Sequence, residues 1–494
     1  MFVSELKESL EKRSYNSTVI VDGRKTYSAG RLIQDVKILE EAILKECQPV
    51  EQVIIGVAMK SSYEWIVSML ATHFSGATLL PTPIEFSDSQ IKSLLGKADL
   101  VFAKGSDIRG RLEKILPDSP VVDPLNFEEN WGVIAKKYNR DGAQGLSIIH
   151  TSGTTSNPKG VVIPESGIDA LLSSLWRRIP SGPLNCASVV PMSLLIEQVT
   201  GAYIPLLTGG TIYFLPEALP EFGAESTQQL AYIDHINSCE PNFGYLPPAL
   251  VNAMSAASLE QTSRLRSCHI ITGGASLNKN ILESLEEQGF NIFEAYGMSE
   301  NSSMISLNYK GNNFIGTAGK LLPHVSGRIV DGELEIKSSS LCLGYYNADG
   351  EEVVTNEGWF KTGDLCEFDS QGYLKVVGRK KHLIILSSAR NVSAEWVEKT
   401  YKEIDGIEDM IVMGEGRSDL GAVVLTQFPE NKVKELLSLK HEELANYAQV
   451  HRFVTISDVK SFQKRYFTVT GRPRRKAIYQ DFTSELWGGN VTFR

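Results

Sequence analysis

From about residue 50 to 300, short β-branched apolar runs alternate with longer stretches of helical periodicity, a pattern that predicts parallel sheets covered by helices. Ile54-Ile55-Gly56-Val57-Ala58, Ser147-Ile148-Ile149-His150, Thr211-Ile212-Tyr213-Phe214 and His269-Ile270-Ile271 read as strands, and residues 62–72 and 278–288 read as helices. Past about residue 315 the apolar period drops to two. Residues 327–330 and 333–336 face each other across Asp331-Gly332, a dipeptide suited to a tight hairpin turn. A second pair, 366–368 and 373–377, flanks Asp369-Ser370-Gln371-Gly372. These patterns predict an α/β protein: a large N-terminal domain over 1–378 that includes a β-rich subdomain at about 315–378, then a small α+β domain over 379–494. The charged stretch Gly378-Arg379-Lys380-Lys381-His382 marks the boundary.

The length of 494 residues agrees with roughly two to four domains. With 42% apolar and 22% charged residues, the chain is neither disordered, collagenous nor coiled-coil. Lys and Arg number 49 against 59 Asp and Glu, a net charge of -10, and so acidic a chain lacks the broad basic surface that nucleic acid requires. Six cysteines (Cys47, Cys186, Cys239, Cys268, Cys342, Cys366) form no C-x-x-C pair and suggest reduced thiols, and the eight histidines have no metal-ligand spacing. The start Met1-Phe2-Val3-Ser4-Glu5-Leu6-Lys7 mixes acids and bases, unlike a signal peptide, and no run of 18 apolar residues occurs. The expectation is a cytoplasmic protein without membrane insertion.

The densest candidate chemistry is Thr151-Ser152-Gly153-Thr154-Thr155-Ser156-Asn157-Pro158-Lys159-Gly160, set between the apolar strands 146–150 and 161–163. Hydroxyls, backbone amides and one lysine in a short loop suit a polyphosphate. The G-x-x-x-x-G-K-[ST] spacing is absent, and Val161-Val162-Ile163 promises a strand where a Walker loop enters a helix. On its residues alone the stretch is a phosphate cradle or a polar hairpin loop.

Three other stretches are similarly two-sided. Tyr296-Gly297-Met298-Ser299-Glu300 ends an apolar strand that begins at Asn291. Its aromatic can stack on a purine, its glycine admits a close approach and its acid can hold magnesium, or the pair is a core-edge tyrosine and a solvated acid. Thr272-Gly273-Gly274-Ala275-Ser276 follows a strand and opens a helix, as a pocket wall or as a capping turn. Asp364, after Gly358-Trp359-Phe360-Lys361-Thr362-Gly363, could receive two ribose hydroxyls or sit in a tight turn. Residues 460–476 hold seven Lys/Arg and no acid, as a solvated surface strand or a phosphate-seeking arm.

In order along the chain, Thr151 to Gly160, Gly273-Gly274-Ala275, Tyr296 to Glu300, Gly363-Asp364, Gly378-Arg379 and Thr470-Gly471-Arg472 resemble the adenylate-forming (AMP-binding) superfamily of acyl-CoA synthetases, nonribosomal adenylation domains and luciferases. The resemblance covers nearly the whole chain. It implies a large N-terminal domain, a small mobile C-terminal domain and a site in the cleft between them. It implies that Thr151, Ser152, Gly153, Thr154, Thr155 and Lys159 bind the triphosphate of ATP, and that Gly274, Ala275, Glu294, Ala295 and Tyr296 frame adenine beside Gly297. Ser299 would touch the α-phosphate, Glu300 and Thr151 would hold Mg2+, Asp364 and Arg379 the ribose, and Lys381 would be the hinge. Tyr245, Leu246, Gly273 and Gly274 would wall the acyl group, ahead of a helix beginning near Ala249. Arg472, Lys159 and Glu300 would be catalytic.

The implied reaction joins a small carboxylic acid to AMP with release of pyrophosphate, then transfers the acyl group to a thiol. That thiol belongs to CoA or to the phosphopantetheine of an acyl or peptidyl carrier protein. Acyl transfer to an amine or an intramolecular acceptor, and a non-catalytic nucleotide- or acyl-binding role, stay open. The family's catalytic lysine stands here as Arg472, and Arg and Lys are not interchangeable at a tight site. Ser156, Ala389, Ala394 and Leu194 also depart from the family's glycine, glycine, proline and histidine. The loop Arg390-Asn391-Val392-Ser393-Ala394-Glu395-Trp396 is most similar to that of bacterial fatty and aryl acyl-CoA synthetases.

Overall fold

A computed structural model of the chain describes residues 2–48, 50–126, 134–135, 145–150, 160–222, 229–275, 277–346, 354, 357–387, 390–468 and 471–488. Its largest sheet has seven strands in the order Gly344–Tyr346, Gly160–Ile163, Ser147–His150, Thr78–Pro81, Ile54–Val57, Leu100–Phe102, Val121–Val122. Pairing is parallel from Ser147–His150 to Val121–Val122 and antiparallel at the other edge. Every residue of Ile54–Val57 and Thr78–Pro81 is buried. Strands covered on both faces read as unbroken apolar runs, not as alternation. The helix Tyr63–Ser75 is likewise buried nearly all round; the Ser62 hydroxyl accepts from Trp65 N at its start, and Gly76, at φ +83°, ends it.

A second sheet runs Phe243–Tyr245, His269–Gly273, Asn291–Tyr296, Ser306–Leu307, Lys320–Leu321, parallel over its first three strands. The expected β-rich region is a four-stranded antiparallel sheet, Val325–Val330, Glu333–Ser338, Phe360–Phe368, Leu374–Arg379. Asp331 and Gly332 both take left-handed φ, +51° and +79°, which a two-residue hairpin needs to match strand twist. Beyond it, Ile407–Met413, Leu420–Thr426 and Val450–Ile456 form a separate three-stranded sheet.

The apolar cores follow this division. The largest draws buried residues from Phe2 to Leu374, while two others use only residues from Ile384 to Val450 and from Ile411 to Leu486.

Two local readings are corrected. The basic stretch 460–476 is not a strand: it closes the helix Val459–Tyr466, turns, and opens the helix Arg475–Trp487. Val459, Phe462 and Tyr466 lie on one buried face at helical spacing, and Lys464 and Arg465 suit the carbonyl end of that helix. The loop after Gly273 does not open a helix at once; Asn278 is the cap, its side chain accepting from Asn280 N ahead of Lys279–Glu287.

Candidate active site

Antiparallel pairing sets Asp364 opposite Arg379. Asp364 is 1% exposed, and Arg379 Nε stands 2.7 Å from its Oδ1. Tyr296, at the end of a strand in a different sheet, donates its hydroxyl to Asp364 Oδ2 at 2.5 Å. Burial pushes the Asp364 carboxyl up, against the pull of Arg379 and Tyr296, and pushes the Tyr296 phenol well above its ordinary range. The ion pair with Arg379 lacks hydrogen-bond alignment, so Oδ1 has no hydrogen-bond donor among the described residues. A buried carboxylate oxygen in that condition calls for a donor. The strand is fixed locally: Gly363, at φ +72°, donates its N–H to Glu333 Oε1 at 3.0 Å, and Lys380 Nζ is 2.8 Å from Glu333 Oε2.

Beside this pair the strands His269–Gly273 and Asn291–Tyr296 run in parallel with Gly273 opposite Ala295. A Cβ at Gly273 would meet Ala295 O at 2.3 Å, and one at Gly297 would meet Ser303 O at 1.7 Å; both positions require glycine. Gly274 and Ala275 are exposed at the crest, where bare backbone can meet a flat ring. Tyr245 donates its hydroxyl to Gly273 O at 2.9 Å. Leu246, by contrast, is 3% exposed and packs in the apolar core with Leu250 and Ile270. Glu294 accepts from Gly316 N at 2.8 Å, yet burial raises its pKa to about 7 despite that bond and the nearby Lys399.

The hairpin rims His150 and Gly160 are register partners. Thr151, Ser152, Gly153, Thr154, Thr155, Ser156 and Lys159, between them, lie outside the described residues. Glu300 reaches this edge from the short turn Ser299–Asn301: Tyr345, opposite Val161 in the sheet, donates its hydroxyl to Glu300 Oε1 at 3.1 Å.

Arg472 enters the cleft from the small domain. Its turn is closed by Thr468 N to Arg472 O at 2.8 Å and by Gly471 at φ +74°. The helix that follows is pinned by Arg475, whose guanidinium pairs with buried Glu398. Arg472 Nη2 lies 3.4 Å from Gly274 O. Desolvation and Arg379 lower the Arg472 pKa, opposed by Asp364, Glu395 and Tyr245. One cleft thus gathers Tyr245, Gly273, Gly274, Tyr296, Asp364, Arg379 and Arg472. Lys381 is the second residue after the strand Leu374–Arg379, in the short turn Lys380–His382.

Three polar residues of this region escaped sequence reasoning. Glu333 orients Gly363, Tyr345 holds Glu300, and Glu395 accepts His382 Nδ1 at 2.7 Å beside Arg379. Glu395 fell inside the loop already singled out; the other two had no local signal.

A family model described as AMP-binding enzyme matches residues 6–346. The malonate–CoA ligase of Arabidopsis thaliana is 24% identical over 442 residues, covering 80% of this chain and 72% of its own. The anthranilate CoA ligase AuaEII, solved in complex with anthranoyl-AMP, superposes with a TM-score of 0.82 at 17% identity, over 97% of this chain and 96% of that one. The amide bond synthetase McbA from Marinactinospora thermotolerans superposes with a TM-score of 0.81 at 19% identity, over 98% and 100%. The two structures share this fold, and with the match over residues 6–346 the chain belongs to the AMP-binding enzyme family.

Proposed function

We propose that the protein uses ATP to convert a carboxylic acid to an acyl-adenylate, releasing pyrophosphate, and then transfers the acyl group to the thiol of CoA. The observation that carries this reading is the convergence of Arg472 on Gly274 O from one side and of the Tyr296–Asp364–Arg379 cluster from the other. Asp364 Oδ1 is ready to accept a ribose hydroxyl, and Tyr296 and the Gly274-Ala275 backbone offer faces for adenine. Arg472 brings a permanent cation to the crest where the acyl carboxylate would meet the α-phosphate, and its planar fork can hold an oxygen of each.

Displacing hydroxide from a carboxylate is unfavourable, so AMP supplies the leaving group. Positioned cations offset the charge that develops at phosphorus. Glu300, held through one oxygen by Tyr345, fits as a hard oxygen ligand for Mg2+ together with Thr151, and the ion would neutralise phosphate charge when bound. Thr151 to Thr155 and Lys159 would carry the remaining phosphate contacts.

The similarity to the malonate–CoA ligase supports CoA as the acceptor, and the phosphopantetheine of a carrier protein would present the same thiol. We assign residues 1–378 and 379–494 to the two domains, with Lys381 as the pivot that exchanges the adenylating arrangement for a thiol-accepting one. All six cysteines are free, which suits a reducing, cytoplasmic setting, and no helix among the described residues is long and apolar enough to cross a membrane. Exchange of labelled pyrophosphate into ATP, dependent on Mg2+ and on an added acid, tests the first step. Thioester formation with CoA, set against amide formation with amines, tests the second.

A further inference from the structure

The helical turn Leu195–Glu197 widens into a π-helix over Gln198–Tyr203, a distortion that recurs at functional sites. Glu197 sits at the junction, 1% exposed, and neither carboxyl oxygen has a hydrogen-bond partner among the described residues. Ser188 Oγ is near enough to favour the ionised form, without the geometry of a hydrogen bond. The backbone makes room for this carboxyl: a Cβ at Gly201 would come within 2.5 Å of Glu197 Oε1 and 3.0 Å of its Cδ. A buried carboxyl without partners costs stability that a Leu or Met of similar volume would not. It therefore contributes nothing to the fold that an apolar residue could not supply better.

Its neighbours say where it faces. The strand Phe243–Tyr245 packs against the π-helix, and Tyr245 feels the charges of both Glu197 and Arg472, so its ring is near this carboxyl as well as the cleft. Ser188 Oγ and Thr272 Oγ1, the latter one residue before Gly273, are also buried without hydrogen-bond partners among the described residues. Unsatisfied polar groups thus lie near the ring that would wall the acyl group.

We infer that Glu197 is a specificity-determining contact for the acyl group, and that the acid substrate carries a hydrogen-bond donor, a hydroxyl or an amino group, remote from its carboxylate. The inference rests on the adenylation reading above. Burial, tempered by Ser188 and reinforced by Glu221, raises the Glu197 pKa to about 8. The carboxyl therefore meets the substrate mainly as a neutral acid near pH 7, able to accept from a donor and to donate in return. Of the other charged groups bearing on it, Glu221 is an acid that accepts from Ser61 N at 2.8 Å, and no basic side chain among the described residues tempers it. A substrate hydroxyl or amino group, which can donate to the carboxyl and accept from it in return, is the complement that is missing.

The test is acid-dependent ATP–pyrophosphate exchange with matched acids: hexanoate with its hydroxy and amino derivatives, and benzoate with its hydroxy and amino derivatives. The wild type should use at least one donor-bearing acid roughly 100-fold more efficiently than its unsubstituted parent, since a site built to hydrogen-bond a substrate discriminates strongly against the analogue that lacks the group. Glu197→Met should bring that ratio to within about threefold by loss on the donor-bearing acid, chiefly in KM, with a melting temperature no lower than the wild type. Glu197→Gln, which keeps both volume and hydrogen bonding, should restore part of the ratio, and hydroxy against amino acids separates the two donors. A wild type that uses parents and derivatives alike overturns the inference without any variant. A Met variant that keeps the wild-type ratio, or one that loses stability and ratio together with no rescue by Gln, overturns it too and leaves adenylation standing. Absence of exchange with every acid overturns both readings.

Discussion

The Tyr296 hydroxyl donates to Asp364 Oδ2 at 2.5 Å, joining the end of a strand in the five-stranded sheet to the middle of a strand in the β-rich sheet. Two surfaces that would contact different parts of one nucleotide are thereby held in a fixed relation, with Arg379 completing the set across the ladder.

Asp364→Asn keeps the shape but removes the charge that faces Arg379 and Arg472. Nucleotide affinity, read by calorimetry with ATP or AMP, should fall by about 10- to 100-fold, the scale of hydrogen bonds to a charged group. Tyr296→Phe, which removes the donor and leaves the carboxylate, should cost about tenfold. Wild-type affinity in both variants would contradict the assignment of this cluster to ribose and adenine.

Glu294 gives a pH signature. Its folded pKa is raised from 4.5 to about 7, burial being the largest cause. A raised carboxyl pKa means the proton is held more tightly in the folded state. The stability this confers is present below about pH 4.5 and is lost as pH rises through 7. Glu294→Gln removes the titration while a side-chain oxygen still faces Gly316 N. The stability of the variant relative to wild type should therefore rise by about 1 to 3 kcal/mol between pH 4.5 and 8. Denaturant melts at several pH values check this, and a constant difference would contradict it.

Much of this organisation was legible in the sequence because it rests on local signals. Strands such as Ser147–His150 are short, apolar and bounded by polar residues, and the turn at Asp331-Gly332 needs only the two residues that tolerate left-handed φ. Residues 460–476 misled because charge dominates their composition, whereas the burial of Val459, Phe462 and Tyr466 at helical spacing decides the conformation. Asp364 and Tyr296 could be named separately, but their hydrogen bond spans 68 residues and depends on how two sheets pack. Glu197 was invisible for the same reason: nothing beside it in the chain distinguishes a buried acid from a solvated one.

Lys381 lies two residues beyond Arg379, just past the end of its ladder. Proline fixes φ and removes an N–H, so Lys381→Pro should restrict rotation of the small domain. Thioester formation should fall at least tenfold more than pyrophosphate exchange, as expected when a conformational step limits only the second half-reaction. Equal losses in both would place the pivot elsewhere.

We assign the cation for adenylation to Arg472, 3.4 Å from Gly274 O. The most direct measurement is acid-dependent ATP–pyrophosphate exchange by the wild type and by Arg472→Ala, paired with thioester formation from supplied acyl-AMP. Exchange should be present in the wild type and fall by about two to three orders of magnitude in the variant, the scale for one preorganised charge contact, while thioester formation from acyl-AMP persists. A wild type that binds ATP yet exchanges pyrophosphate with no acid, or a variant that exchanges at the wild-type rate, would contradict this role for Arg472.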